Sequence, residues 1–243
     1  LAAPMQRRLF AVLVARAGET CSRDALIDAL WGESPPASAQ KLLQVYVSQL
    51  RKTLPAPAHI RTHGGGYALE LEEGSLDAAR FERLLDEGRE ALGEGNPALA
   101  VSLFTRALDL WRGPAYADFA YEEFVRGEAE RLEELRRVAM EERIEAGLAL
   151  GRHDELVAEL TSLACAHPLR ERLQAQAMVA LYRCGRQSDA LELYSDVRTR
   201  LRDELGLEPG PELRELQRRI LQQDTSLVVP ARGDESFALL PAS

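Results

Sequence analysis

The sequence predicts a mainly α-helical protein built from two domains. Its 243 residues are enough for more than one core. Ala, Leu, Arg and Glu are abundant and aromatic residues make up only 6%, and the abundant residues lose little side-chain freedom in a helix. Short helices and one hairpin are predicted over the first seventy residues, and a repeated helical pattern follows them.

The predicted elements of residues 1–72 follow the order helix, helix, long helix, hairpin. Pro4 suits the first turn of helix one, and Ser22 is a suitable N-cap for helix two. The third helix is predicted at 38–54, and two short strands around a glycine turn are predicted at 60–69. This is the order of a winged helix-turn-helix.

The third helix is predicted to be amphipathic, with Leu43 and Leu50 on its apolar side. Its polar side combines cations that reach phosphates, amides that pair with base edges and one apolar group that suits a thymine methyl. The sequence holds no acidic residue between Glu33 and Glu70, and a phosphate backbone would repel a carboxylate there. The alternative interpretation is an ordinary solvated helix face. The expected DNA contacts on this helix are Lys41, Gln44, Val45, Ser48, Gln49, Arg51 and Lys52.

The triplet Gly64-Gly65-Gly66 fits two interpretations. It can be the turn of the hairpin, or a loop whose backbone amides approach a phosphate. No Lys-Ser/Thr pair follows it, and the phosphate-loop motif needs that lysine. The turn is therefore favoured.

Four motifs carry a family resemblance: Met5-Gln6-Arg7-Arg8-Leu9, Leu30-Trp31-Gly32 followed by Pro35-Pro36, Val45-Tyr46-Val47-Ser48-Gln49-Leu50-Arg51-Lys52, and Gly66-Tyr67-Ala68-Leu69. Together they resemble the OmpR/PhoB-type winged helix in the version found in the Streptomyces antibiotic regulatory protein (SARP) family. The resemblance implies that the third helix enters the major groove of double-stranded DNA. It also implies that the wing contacts the adjacent backbone or minor groove, and the residues expected there are Arg61, Thr62, His63 and Tyr67.

Members of that family carry an additional antiparallel sheet before helix one. That sheet is missing here, and the first residue is Leu1 rather than Met. We therefore expect the chain to be a fragment of a longer protein.

After residue 75 the sequence predicts a tetratricopeptide-like (TPR-like) superhelical domain at 75–225. Small and large residues recur at the spacing of that repeat, where small side chains let two helices approach. The first copy is formed by Gly88, Gly95, Ala100, Phe104 and Ala107, and Gly185, Ala190 and Tyr194 form part of another. A weaker copy begins at Gly151, 34 residues before Gly185. Such helix pairs bury their apolar faces only by stacking.

This region resembles the bacterial transcriptional activation domain of the SARP family. The resemblance rests on Asp77-Ala78-Ala79-Arg80-Phe81, Leu110-Trp111-Arg112-Gly113, His167-Pro168-Leu169-Arg170-Glu171, Tyr182-Arg183-Cys184-Gly185-Arg186 and the stretch 204–213. It implies an activator of secondary-metabolite (antibiotic) genes that binds tandem direct repeats near promoters, self-associates on DNA and contacts RNA polymerase.

Two other functions are compatible with the sequence. The helical repeats could form a protein-interaction scaffold, with the winged helix serving only as a protein interface. The chain could also be the N-terminal regulatory part of a larger ATPase-type regulator. The stretch 226–243 lacks periodicity and is predicted to be a flexible tail or linker.

The sequence argues against catalysis and against a metal site. It contains no HExxH, GxSxG or paired-cysteine motif, so we expect no catalytic residue, no metal and no cofactor. Cys21, Cys165 and Cys184 are predicted to be reduced, mostly buried thiols. The net charge is −9, but residues 1–74 carry eight Lys or Arg against seven Asp or Glu. No segment has the ~20 apolar residues that span a bilayer, and we expect a cytoplasmic protein.

Overall fold

The computed structural model describes residues 3–55, 58–72 and 74–228. The N-terminal part contains three helices and three short strands. They are α1 (Pro4–Ala15), β1 (Cys21–Ser22), α2 (Arg23–Trp31), α3 (Ala39–Thr53), β2 (His59–His63) and β3 (Gly66–Glu70). The helices that follow are α4 (Asp77–Gly93), α5 (Pro97–Leu108), α6 (Glu123–Ala149), α7 (His153–Ala166), α8 (Glu171–Arg183), α9 (Gln187–Arg200) and α10 (Pro211–Leu221). Among the described residues, none of these helices is long and apolar enough to cross a membrane.

The N-terminal elements form a winged helix, as predicted. Pro4 occupies the first turn of α1, and the Ser22 hydroxyl accepts a hydrogen bond from the Ala25 amide at 3.1 Å to cap α2. The hairpin of β2 and β3 gains a third strand that the sequence did not predict, because β1 pairs with β3 in the order β1-β3-β2. Gly66 permits this pairing, since a Cβ atom there would lie 2.1 Å from the Cys21 carbonyl oxygen.

Helix pairs with close contacts confirm the predicted repeats. A Cβ atom on Gly88 of α4 would lie 2.4 Å from the Phe104 ring of α5, so only glycine lets these helices approach so closely. Gly147, which the sequence analysis missed, plays the same part between α6 and α7, where a Cβ atom would lie 2.8 Å from Leu156. Gly151 and Gly185 both adopt positive φ, at 75° and 76°, and begin the turns between paired helices.

The first residues of the predicted tail at 226–243 lie in a short helical turn. Thr225–Leu227 forms a short 3₁₀ helix, and Leu227 is buried. The Arg183 guanidinium holds this turn by donating to the Leu227 carbonyl at 2.8 Å, and it also donates to the Leu148 carbonyl at 2.7 Å. Residues 225–227 are therefore part of the fold, because the burial of Leu227 and its hydrogen bond with Arg183 fix this turn. The rest of the predicted tail lies outside the described residues.

The chain divides into two packed units. The first contains Leu1–Leu84 and Arg106–Val138, and the second contains Leu85–Thr105 and Ala139–Ser243. This division differs from the boundary predicted between residues 72 and 75. The physical reason lies at α1, where Arg8 pairs with Glu122 at 2.6 Å and Phe124 packs against the winged-helix core. Part of the helical region therefore belongs to the same packed unit as the winged helix.

Candidate nucleic-acid interface

Helix α3 presents one buried and one exposed face. Leu43, Val47 and Leu50 are at most 1% exposed and belong to the winged-helix core. Tyr46 stacks on Trp31 of α2, with ring centroids 6.3 Å apart. These contacts fix the rotation of α3, so its other side must face away from the core.

The outward face of α3 carries the side chains that the sequence predicted there. Its exposed members are Lys41, Gln44, Val45, Ser48, Gln49, Arg51 and Lys52. Neither Lys41 nor Lys52 has an ion-pair partner among the described residues. Val45 is 42% exposed and is the apolar member of this face. The face thus combines free positive charge, amide and hydroxyl groups, and one apolar contact.

Arg51 has a different role from its neighbours. Its Nε donates to the Ile60 carbonyl and its Nη2 to the Thr62 hydroxyl, both at 2.8 Å. The contact of Arg51 with DNA stays a prediction, but the side chain also has a role inside the protein. Two of its donor groups are used inside the protein, and the side chain ties the C-terminal turn of α3 to strand β2.

Gln49 also has a partner within the winged helix. Its side-chain oxygen accepts a hydrogen bond from Gln6 of α1. Gln49 is exposed, and within the described part of the chain its amide nitrogen donates to no other residue, so it keeps donor capacity toward solvent.

The wing is less basic than its sequence suggests. Arg61 pairs with Glu70 of the neighbouring strand, with 2.9 Å between Nε and Oε2. Thr62 accepts the Arg51 hydrogen bond, and His63 is exposed next to the glycine turn. The turn is formed by Gly64 and Gly65, whose φ angles are 48° and 91°, a region that favours glycine.

Tyr67 was predicted to contact DNA, and its burial argues against that role. It is 4% exposed and belongs to the core of the winged helix. The guanidinium groups of Arg23 and Arg51 each lie 5.9 Å from the centre of its ring. The Tyr67 ring therefore makes cation–π contacts with two arginines and has almost no exposed surface.

Arg23 is a cation of the winged helix that the sequence analysis missed. It is the first residue of α2, next to the β1–β3 pairing, and its Nε is buried without a hydrogen-bond partner. Besides the Tyr67 ring, no acceptor or carboxylate contacts its guanidinium among the described residues. Its position at a helix N-terminus adds the favourable end of the helix dipole for an anion. Only the three-dimensional proximity of Tyr67 could have pointed to it.

The cysteines differ from their prediction in burial. Cys21 is buried, and burial is the main cause that raises the pKa of its thiol. Cys165 is exposed, because it lies on the solvent side of α7, and Cys184 is half-buried. Across the described ranges, no group of three or more His, Cys, Asp or Glu side chains is placed to hold a metal ion.

Two family models match the chain. The family described as "Transcriptional regulatory protein, C terminal" matches residues 2–69, and the "Bacterial transcriptional activator domain" matches residues 76–221. Regulatory protein DnrI of Streptomyces peucetius is 42% identical over 247 residues, which cover 96% of this chain and 91% of DnrI. The chain belongs to the SARP family of transcriptional activators.

Other SARP-like relatives are longer. Regulatory protein AfsR of Streptomyces coelicolor is 46% identical over 225 residues, which cover 92% of this chain but only 22% of AfsR. The chain thus spans less than a quarter of the AfsR protein that it matches. The solved structure of Mycobacterium tuberculosis EmbR in complex with a low-affinity phosphopeptide matches with a TM-score of 0.86 and 38% identity, over 91% of this chain and 60% of EmbR. Both family descriptions refer to transcriptional regulation, and DnrI and AfsR are named as regulatory proteins.

Proposed function

We propose that this activator binds double-stranded DNA in a sequence-specific manner, with α3 in the major groove. The observation that carries the proposal is the outward face of α3, where exposed cations and hydrogen-bonding groups stand together without a carboxylate. A helix of this kind fits the major groove, and the phosphates on either side attract its lysines.

The residues of the site divide into three roles. Lys41, Lys52 and Arg23 lie where they can neutralise phosphates, which strengthens binding to any sequence. Gln44, Val45, Ser48 and Gln49 can contact base edges or a thymine methyl, which gives sequence preference. Arg61, Thr62 and His63 of the wing are proposed to touch the adjacent backbone or minor groove, while Arg51 and Tyr67 hold the wing against α3.

The proposal extends to partners and target genes. We propose that residues 1–72 bind tandem direct repeats, and that residues 75–225 mediate self-association on DNA and contact RNA polymerase. The similarity to DnrI and AfsR, two regulatory proteins of Streptomyces, supports secondary-metabolite (antibiotic) genes as targets. A protein with these partners acts on the chromosome, in the cytoplasm.

Selection of bound duplexes from a random DNA library tests the sequence specificity. We expect the parent protein to enrich a repeated motif, and Gln44→Ala to lose preference at one position of each repeat. The expected cost at that position is about 1 to 3 kcal/mol, the usual contribution of a good amide–base pair. Gln222→Ala, directly after α10, is the matched control, since Gln222 is also exposed. If the folded parent enriches no motif, or if both variants select the same motif as the parent, the assignment of α3 as the reading helix is wrong.

A further inference from the structure

The first unit contains a cavity of about 480 Å³ that the DNA-binding proposal does not use. Val14 of α1, Phe81 of α4 and Leu132 of α6 line it, together with the loop that carries Trp111 and Tyr116. Its volume lies within the range of ~300 to 1,000 Å³ typical of small-molecule sites. The walls combine apolar side chains with aromatic rings, which is the usual lining of such sites.

The aromatic part of the cavity is preformed. Phe81 is 1% exposed and meets Trp111 edge-to-face, with ring centroids 5.4 Å apart and planes at 86°. The Arg136 guanidinium lies 4.8 Å from the centre of the Trp111 ring. The position of Trp111 is thus fixed by two contacts, and a ligand would meet an ordered aromatic wall.

The charges around the cavity are already neutralised within the protein. Asp77 and Arg112, which both line it, pair with each other at 2.7 Å. Arg136 pairs with Glu133 at 3.8 Å, and Glu133 also accepts a hydrogen bond from the Ala115 amide at 2.9 Å. No unpaired formal charge is therefore offered by these groups, and a charged ligand would lose its hydration without compensation.

Tyr116 gives the cavity a polar group on a strained backbone. Its φ of 52° lies in the left-handed region, which is uncommon for a residue other than glycine. Burial, with a smaller effect of Glu128, raises the pKa of its hydroxyl to about 12, so that the hydroxyl stays neutral at physiological pH. Such strain clusters at ligand sites, where the surrounding structure holds it.

We propose that this cavity binds a small, neutral, aromatic molecule, which stacks on the Trp111 ring that the buried Phe81 holds in place and hydrogen-bonds Tyr116. The site is separate from the DNA-binding face, and its occupant would contact both α1 of the winged helix and the helical segment packed on it. All of these residues belong to the first unit.

Fluorine NMR of the full chain labelled with 5-fluorotryptophan tests the proposal, with 2-naphthol as the probe. The chain has only two tryptophans, Trp31 and Trp111, and Trp31 stacks on Tyr46 in the winged-helix core. We expect 2-naphthol to shift the Trp111 resonance saturably and to leave the Trp31 resonance in place. A Trp111 resonance that stays unchanged up to the solubility limit of the probe would overturn the proposal, as would an equal shift of both resonances.

A pair of variants on α4 locates the binding. Ala78 lines the cavity, while the next residue, Ala79, is exposed and does not. Ala78→Phe should weaken the 2-naphthol affinity by at least about tenfold, or ~1.4 kcal/mol, and Ala79→Phe should leave it unchanged. Should Ala78→Phe fail to fold, judged by loss of the Trp31 resonance, Ala117→Phe, at a second residue that lines the cavity, replaces it with the same expectation. Unchanged affinity in the cavity variant contradicts the proposal. A Trp111 resonance that moves with protein concentration alone would assign the cavity to a second copy of the chain, which also contradicts it.

Discussion

The outward face of α3 and the exposed side of α6 both carry long cations, but the surroundings of those cations differ. On α6, Arg131 binds Glu82 at 2.6 Å and Glu128 at 2.8 Å. On α3, Lys41 and Lys52 have no ion-pair partner among the described residues. A cation that already holds two carboxylates offers little net charge to a phosphate. The number of cations alone therefore does not indicate a surface for phosphates, because only cations without nearby carboxylates keep their charge available.

Arg51 lies between these two cases. It has no carboxylate partner, yet two of its donors bind the wing at Ile60 and Thr62. The comparison thus separates cations that are free, cations that position other elements and cations that are neutralised. Each class predicts a different response to mutation.

The largest expected effect is a loss of stability on replacing Glu141, a buried carboxylate of the second unit that lies next to two arginines. The Glu141 side chain is 3% exposed and accepts from Arg170 at 2.6 Å. Glu141→Gln should lower the free energy of unfolding by about 3 kcal/mol, because it removes the buried negative charge that faces the guanidinium groups of Arg170 and Arg172. Urea unfolding measures this, with the exposed Glu155→Gln as control. DNA affinity of the folded variant should stay at the parent value, and a specific loss of affinity would show that this ion pair also serves the DNA site.

Arg51→Ala should change stability and DNA affinity together. The lost bonds to Ile60 and Thr62 should lower the free energy of unfolding by about 1 to 2 kcal/mol, and the released wing should weaken DNA binding. Lys52→Ala, one residue away, should weaken binding without changing the melting temperature. Calorimetry and fluorescence anisotropy on the same samples test the pair. An Arg51→Ala protein that melts like the parent but no longer binds DNA would show that Arg51 contacts DNA directly and does not act through the wing.

The smallest change in both stability and DNA affinity is expected for Arg131→Ala. Its side chain is 47% exposed, and exposed ion pairs contribute only about 0.2 to 1 kcal/mol to stability. Since its charge is neutralised by Glu82 and Glu128, DNA affinity should not change. Anisotropy titration at low salt is the sensitive test. A loss as large as that of Lys52→Ala would remove the distinction between paired and free cations.

The sequence predicted the elements with a clear period or a strong local signal. Ser22 as a cap, Pro4 in the first turn, the long third helix and the Gly88–Phe104 pair all follow from local chemistry or spacing. The two-residue strand β1 was missed because it is too short to show alternation. Strand β1 forms only because it pairs with β3, which lies more than 40 residues later in the sequence.

The candidate site was predictable in its composition but not in the roles of its residues. The outward face of α3 followed from periodicity, because the 3.6-residue repeat of a helix is enough to tell which of its residues share a side. The tether made by Arg51, the burial of Tyr67 and the position of Arg23 depend on how β2 and β3 pack against α2 and α3. These are tertiary contacts between residues far apart in the chain, and no local pattern encodes them.

The salt dependence of DNA affinity tests the central claim most directly. Lys41→Ala combined with Lys52→Ala should reduce the slope of log affinity against log salt concentration by about 2, since each phosphate contact contributes about 0.9. Arg126→Ala combined with Arg214→Ala removes the same charge from exposed positions on α6 and α10 and should leave the slope unchanged. Equal slopes for the parent and both double variants would contradict the account, because the free lysines of α3 would then make no phosphate contacts.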